Sequence, residues 1–267
     1  MEGNTRTIVL LGKSGTGKSS LANTIFGEKD TFKVSCSAKS ATRFCKSETR
    51  TINKRSIQLI DTPGFFDTDL NSEELKSELL KCLVECASGP HAFLLMFPLG
   101  RFTPQEKEIV DLMEKEYFGD EALKYTTVVF TRGDDLPEGM KIEDWLKENK
   151  SLKNLVNKCG GRSAVIDNRH WNKDQKDLYR NNQYQIEQLL KTIDQTIREN
   201  KGEHYTNEML QEINKQIDEK KAESRKSSPN LSEESHNKKA KEYVWSLYTK
   251  ILIGVTAAVI VGALLGE

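Results

Sequence analysis

Along the chain, short runs of apolar, β-branched residues alternate with longer segments whose apolar positions recur every three or four residues. A continuous apolar run bounded by turn residues reads as a strand buried on both faces, and a 3.6-residue period reads as a helix packed by one face. Strands are expected over residues 7–11, 43–53, 56–61, 92–98, 126–131 and 163–166, and helices over 19–26, 73–87, 104–117, 142–156 and 175–199. The two runs meeting at Asn53-Lys54 are nearly contiguous, which predicts an antiparallel hairpin at one edge. Thr103 before Pro104 is the punctuation of a helix start. The alternation predicts an α/β domain over residues 6–200: a mostly parallel six-stranded sheet with helices on both faces.

Past residue 200 the pattern changes. Leu210, Ile213 and Ile217 give a narrow apolar stripe to an otherwise charged helix over 207–223, so residues 201–223 read as a helical extension. Residues 224–242 are rich in Ser, Lys, Glu and Asn and read as a flexible polar linker. Residues 251–265 are then apolar without a charge. As a helix they reach only ~22 Å, short of a ~30 Å hydrocarbon core. Counting back to Val244 gives ~33 Å, with Lys250 snorkelling and Trp245 and Tyr248 in the interface. Lys238, Lys239 and Lys241 precede the run, and Gly254, Ala258 and Gly262 share one face. Residues 243–267 are thus expected to form a C-terminal membrane anchor, the alternative being an assembly helix.

The 267 residues carry 40 basic and 40 acidic side chains, so charge gives no case for nucleic acid as a partner. The residues before the first strand contain no apolar signal region. Cys36, Cys45, Cys82, Cys86 and Cys159 lack metal-ligand spacing and read as reduced thiols.

The chemistry is carried by the loops. Residues 12–19, Gly-Lys-Ser-Gly-Thr-Gly-Lys-Ser, spell a phosphate-cradling loop between a strand and a helix. Gly12, Ser14, Gly15, Thr16 and Gly17 let backbone N–H groups turn toward phosphates, and the helix starting near Ser20 adds its positive end. Lys18 reaches the β- and γ-phosphates, and the Ser19 hydroxyl is placed to ligate Mg²⁺. The strand ending in Asp61-Thr62-Pro63-Gly64 supplies a carboxylate for the Mg²⁺ shell and a Gly64 N–H for the γ-phosphate. In the polar loop 35–42 one hydroxyl should complete the metal shell: Thr42 is chosen, with Ser37 and Ser40 as competitors. The strand 126–131 runs into Arg132-Gly133-Asp134. A carboxylate accepts the paired N1–H and N2–H₂ donors of guanine, which adenine lacks, so Asp134 selects guanine and its neighbour Asp135 is the competitor. Arg132 is expected to cover the base face, and Thr131, standing where the usual motif has Asn, to leave out an amide tie to the phosphate loop. Asn168 is expected at the guanine edge. Trp171 either covers the base or packs the loop, and His91, at the start of its strand, reads as structural.

With these motifs in order, the chain resembles the GTPases of immunity-associated proteins (the GIMAP family), in the septin- and Toc-like branch of P-loop GTPases. The resemblance rests on residues 12–19, 40–45, 61–64, 89–95, 99–103 and 131–134, and departs from the family spelling at Gly133, Asp167 and His170. It implies a Ras-like GTPase fold with a helical extension, GTP/GDP and Mg²⁺ as ligands, and dimerisation with itself or related GTPases across the nucleotide face. It further implies attachment to a cytosol-facing intracellular membrane (endoplasmic reticulum, Golgi, mitochondrial outer membrane or lipid droplet) and a role in immune-cell homeostasis. Phe65 and Phe66 stand where a Ras-type enzyme has its water-orienting Gln. Hydrolysis is therefore expected to be slow or to depend on a group such as Arg101, reaching across a dimer as an arginine finger.

Overall fold

Ile8, Val9, Leu10 and Leu11 are essentially without solvent contact, so the first strand lies in the middle of a sheet and not at its edge. The computed structural model describes residues 5–34, 44–64, 72–100, 102–171 and 177–252. Its strands are β1 (Arg6–Gly12), β2 (Lys46–Ile52), β3 (Arg55–Asp61), β4 (Ala92–Pro98), β5 (Thr126–Thr131) and β6 (Ser163–Val165). They form one sheet in the order β2-β3-β1-β4-β5-β6. All neighbours are parallel except β2 and β3, whose hairpin turns through Asn53 and Lys54, both at positive φ.

Each face of the sheet has its own core. On one side α1 (Lys18–Phe26) and α6 (Asn182–Glu199) bury Leu21, Ile25, Ile186, Leu189 and Ile193 against Ile8, Leu10, Leu94 and Met96. On the other, α2 (Ser72–Glu85), α3 (Pro104–Leu112) and α5 (Lys150–Lys158) cover Val9, Leu11, Phe93, Leu95 and Phe130. The C-terminal ends of β1, β3, β5 and β6 open on one rim, where ligands bind in such sheets.

Three helical expectations are corrected. The segment 142–156 is broken: α4 (Ile142–Trp145) and a 3₁₀ turn stop at Asn149, whose extended backbone and side chain cap α5 by accepting the Leu152 N–H at 3.1 Å. The helix expected from residue 175 begins at Asn182, with Asn181 as its cap. The largest correction concerns the linker. After α7 (Glu208–Ser227) the chain turns and forms α8 (Glu233–Leu252) across much of residues 224–242. His236, Ala240, Val244 and Tyr248, four residues apart, are all buried. Trp245 Nε1 donates to the Ser77 carbonyl at 3.0 Å, and Lys241 Nζ to the Glu85 carbonyl and carboxylate at 3.1 and 3.0 Å. Within the first ten residues of the expected anchor, Val244, Trp245 and Tyr248 thus pack on α2 and α7, while Tyr243, Leu247 and Ile251 are exposed; residues 253–267 lie outside the described residues. Among the described residues no helix is long and apolar enough to cross a membrane.

Candidate functional site

The loop after β1 owes its path to backbone freedom. Gly17, the residue capping α1, has φ 91° and ψ 21°, a left-handed conformation that costs a side-chain-bearing residue dearly. Thr16 Oγ1 donates to the Lys13 carbonyl at 2.9 Å, closing the loop on itself. Lys18 folds back over it, Nζ donating to the carbonyls of Gly12 and Lys13 at 3.0 Å each. Its side chain is buried, so the ammonium is held against these two carbonyls, and the Thr16 N–H turns to the same Lys13 carbonyl at 3.3 Å.

Beside this loop β3 delivers Asp61. Its Oδ2 accepts from the Ser19 hydroxyl at 2.5 Å, and Thr62 Oγ1 donates to the Leu10 carbonyl at 2.7 Å, fastening the β3 exit to β1. A Cβ on Gly64 would collide with the Ser14 backbone, so glycine is required where the two loops touch. No group of three or more His, Cys, Asp or Glu side chains gathers among the described residues. Ser19 with Asp61 nevertheless fits Mg²⁺, a hard cation that takes one or two protein oxygens and completes its shell with phosphate and water.

At the other end of the site, β5 and β6 carry the second pair of loops. A Cβ at Gly17 would lie 3.3 Å from Asn168 Nδ2 and 3.7 Å from Thr131 Cγ2, so these loops abut the phosphate loop directly. Asn168 Oδ1 accepts from Thr24 Oγ1 of α1 at 3.1 Å. Asn168, in the loop after β6, thus ties that loop to α1 through Thr24, whereas the amide tie that Thr131 leaves out would have gone to the phosphate loop. Arg132 turns the chain with φ 60° and is exposed, and Asp134 follows in a 3₁₀ turn with its side chain 47% exposed.

Several residues that hold these loops carried no motif. Asp167, 4% exposed, accepts the N–H groups of Asp134 (3.1 Å), Arg169 (2.8 Å) and His170 (2.7 Å). Asn182 fastens that turn, accepting the Asp167 N–H at 3.1 Å and donating to its carbonyl. The Asp-Asn-Arg-His order is an Asx-turn spelling, so the Asp167 contacts to Arg169 and His170 were readable locally; Asn182, 15 residues away, was not. Trp171, 1% exposed, fills the space under Gly133, where a Cβ would sit 2.5 Å from the ring. This makes it part of the loop packing. His91 lies at the opposite rim, accepting the Thr7 N–H on Nδ1 at 3.1 Å and returning its own N–H to the Thr7 carbonyl. Burial, with Arg6 and His204 nearby, pushes its pKa down to about 4, so the ring is neutral and structural. Thr42 and Arg101, with Ser37, Ser40, Phe65 and Phe66, lie outside the described residues.

A sequence profile of the AIG1 family matches residues 6–225. The chain belongs to the AIG1 family. Among the family's curated members, GTPase IMAP family member 8 of Mus musculus is 35% identical over 202 residues, which cover 74% of this chain and 28% of that protein. The curated relatives it matches are longer: the chain spans between 28% and 64% of their length. Toc33 from Arabidopsis thaliana in complex with Mg²⁺ and GMPPNP has the same fold, with a TM-score of 0.56 at 22% identity over 74% of this chain and 86% of that one. A further Toc33 structure, described as "Dimerization is important for the GTPase activity of chloroplast translocon components atToc33 and psToc159", gives a TM-score of 0.56 at 21% identity, covering 73% of this chain and 84% of that one. These matches agree with the resemblance read from the motifs.

Proposed function

We propose that this AIG1-family chain is a guanine-nucleotide switch that binds GTP or GDP with Mg²⁺ and hydrolyses GTP slowly, or only as a dimer. One observation carries the reading: a buried lysine curled over a glycine loop, a Ser19–Asp61 pair beside it, and base-side loops packed on Gly17, all on one rim. In this reading the loop N–H groups and Lys18 hold the phosphates while Ser19, with Asp61 and Thr42, holds the metal. Gly64 N–H reports the γ-phosphate, Asp134 and Asn168 read the guanine edge, and Arg132 covers the base. Mg²⁺, when bound, neutralises charge on the β- and γ-phosphates.

Dimerisation is important for the GTPase activity of the Toc33 relative; in this chain a dimer formed over the nucleotide face would bring Arg101 of one copy to the phosphates of the other. Calorimetry with GDP, GTP and ATP on the purified chain tests the binding: micromolar or tighter GDP and GTP with ATP at least about 100-fold weaker is expected, and equal affinity would sink the reading. Phosphate release per molecule should rise with protein concentration and fall about 10³-fold or more in Arg101→Ala.

The residues from 253 to 265 are proposed to attach the protein to a cytosol-facing intracellular membrane, and an immune role is proposed from the relatives' names. In a second reading the C-terminus serves assembly, and Val244 and Tyr248 stay buried against α2 and α7, where a spanning segment would withdraw them. Flotation of the full chain with liposomes, lost on removing residues 253–267, separates the two.

A further inference from the structure

The guanidinium of Arg180 stands behind the loop that carries Asp134. It precedes α6, and its side chain is only 16% exposed. Nη2 donates to the Leu136 carbonyl at 2.6 Å and the Pro137 carbonyl at 2.9 Å, so the fork is fastened to the backbone just past Asp134. The guanidinium carbon lies 5.8 Å from the centre of the Trp171 ring, the ring that supports Gly133. With its orientation thus fixed, Nη1 reaches 3.7 Å from Asp134 Oδ1. On the other side His170 Nδ1 lies 3.6 Å from Asp134 Oδ2.

Those last two separations are informative. They exceed hydrogen-bond length, so neither contact consumes an acceptor lone pair of the carboxylate. They are short enough for attraction between charges. Arg180 is charged at every working pH and its planar fork is already immobilised, whereas His170 is 60% exposed and carries charge only when protonated.

We infer that Arg180 is a positioning residue for base selection: it centres the Asp134 carboxylate so that both oxygens face the paired N1–H and N2–H₂ donors of guanine. The inference rests on the reading of Asp134 proposed above and extends it to a residue 46 positions further along the chain that no motif marks. A residue that merely braced the loop would affect all nucleotides alike. One that aims the carboxylate acts on the nucleotide that uses both oxygens.

Inosine diphosphate supplies the contrast, because hypoxanthine keeps N1–H and lacks the exocyclic amine. Fluorescence titration of the full chain with labelled GDP and IDP measures the ratio. The unaltered protein should prefer GDP by about 10- to 100-fold, the value of one charge-assisted hydrogen bond. Arg180→Ala should weaken GDP binding more than IDP binding and bring the ratio to within about threefold of unity. An equal loss for both ligands, leaving the ratio intact, overturns the inference. Should Arg180→Ala not fold, Arg180→Lys keeps the charge and loses the fork; its ratio should fall by about threefold or more, and an unchanged ratio again overturns the inference. Asp134→Ala is the control. If it leaves the ratio unchanged, the reading of Asp134 fails on its own, independently of the Arg180 result.

Discussion

Gly133 is a glycine because Trp171 occupies the place of its side chain. Gly133→Ala drives a methyl group into a buried ring and should destabilise the protein by about 1–3 kcal/mol, seen as a lower melting temperature. Glu78 is constrained differently. Its carboxylate accepts the Cys45 N–H at 2.8 Å, and burial raises its pKa. Glu78→Gln keeps an acceptor and removes the buried charge, so urea denaturation at pH 7 should find the variant at least as stable as the parent. His91 sets a pH window. Its folded pKa, about 4, lies below the unfolded value near 6.5, so its contribution is complete above pH 6.5 and is lost as the pH falls toward 4. The loss should be on the order of 2–3 kcal/mol between pH 7 and pH 4, and His91→Gln should flatten that part of the profile. The phosphate loop and the Asp61–Gly64 turn were legible because their chemistry is local in sequence. Asp167 against Asp134, and Arg180 against Leu136, join residues 33 and 44 positions apart, and no spacing rule reaches that far.

At the scale of elements, five of the six strands were legible as compact apolar runs, whereas β2, Lys-Ser-Glu-Thr-Arg-Thr-Ile, was legible only as the partner of β3 in an edge hairpin. Helix α8 was not. Its buried stripe begins with His236 and Ala240, residues that do not register as hydrophobic, and continues into Val244 and Tyr248, which were counted toward a membrane segment. The break at Asn149 was missed because Ile142, Trp145, Leu152 and Val156 would share one face of an unbroken helix. Docking of α8 yields a test. Val244→Asp places a charge in a fully buried position and should release α8, raising amide exchange over residues 233–252 while β1, β4 and β5 stay protected. Trp245→Phe, which loses the bond to Ser77 and part of the ring that packs on the core beside Lys81, should weaken docking by about 1–2 kcal/mol.

For the whole molecule, the nucleotide rim and the C-terminal hairpin are connected through α2. That helix begins eight positions past Gly64, at Ser72, and α8 lies along it, with Ser77 and Glu85 as bonded partners. Val244 and Tyr248 cannot both fill this groove and lie in lipid, so a spanning tail and a docked α8 exclude each other. Val244→Asp should therefore leave liposome flotation intact if the residues past 252 suffice for attachment, and flotation assays on the variant decide this. A mechanical consequence follows from where α8 ends. Tension applied at the C-terminus loads the α8 seam against α2 and α7 before it reaches any strand of the sheet. Tugging on the tail would peel that helix like a strip from its backing and tilt α2, so strain at one extremity of the protein would be felt beside the phosphate loop.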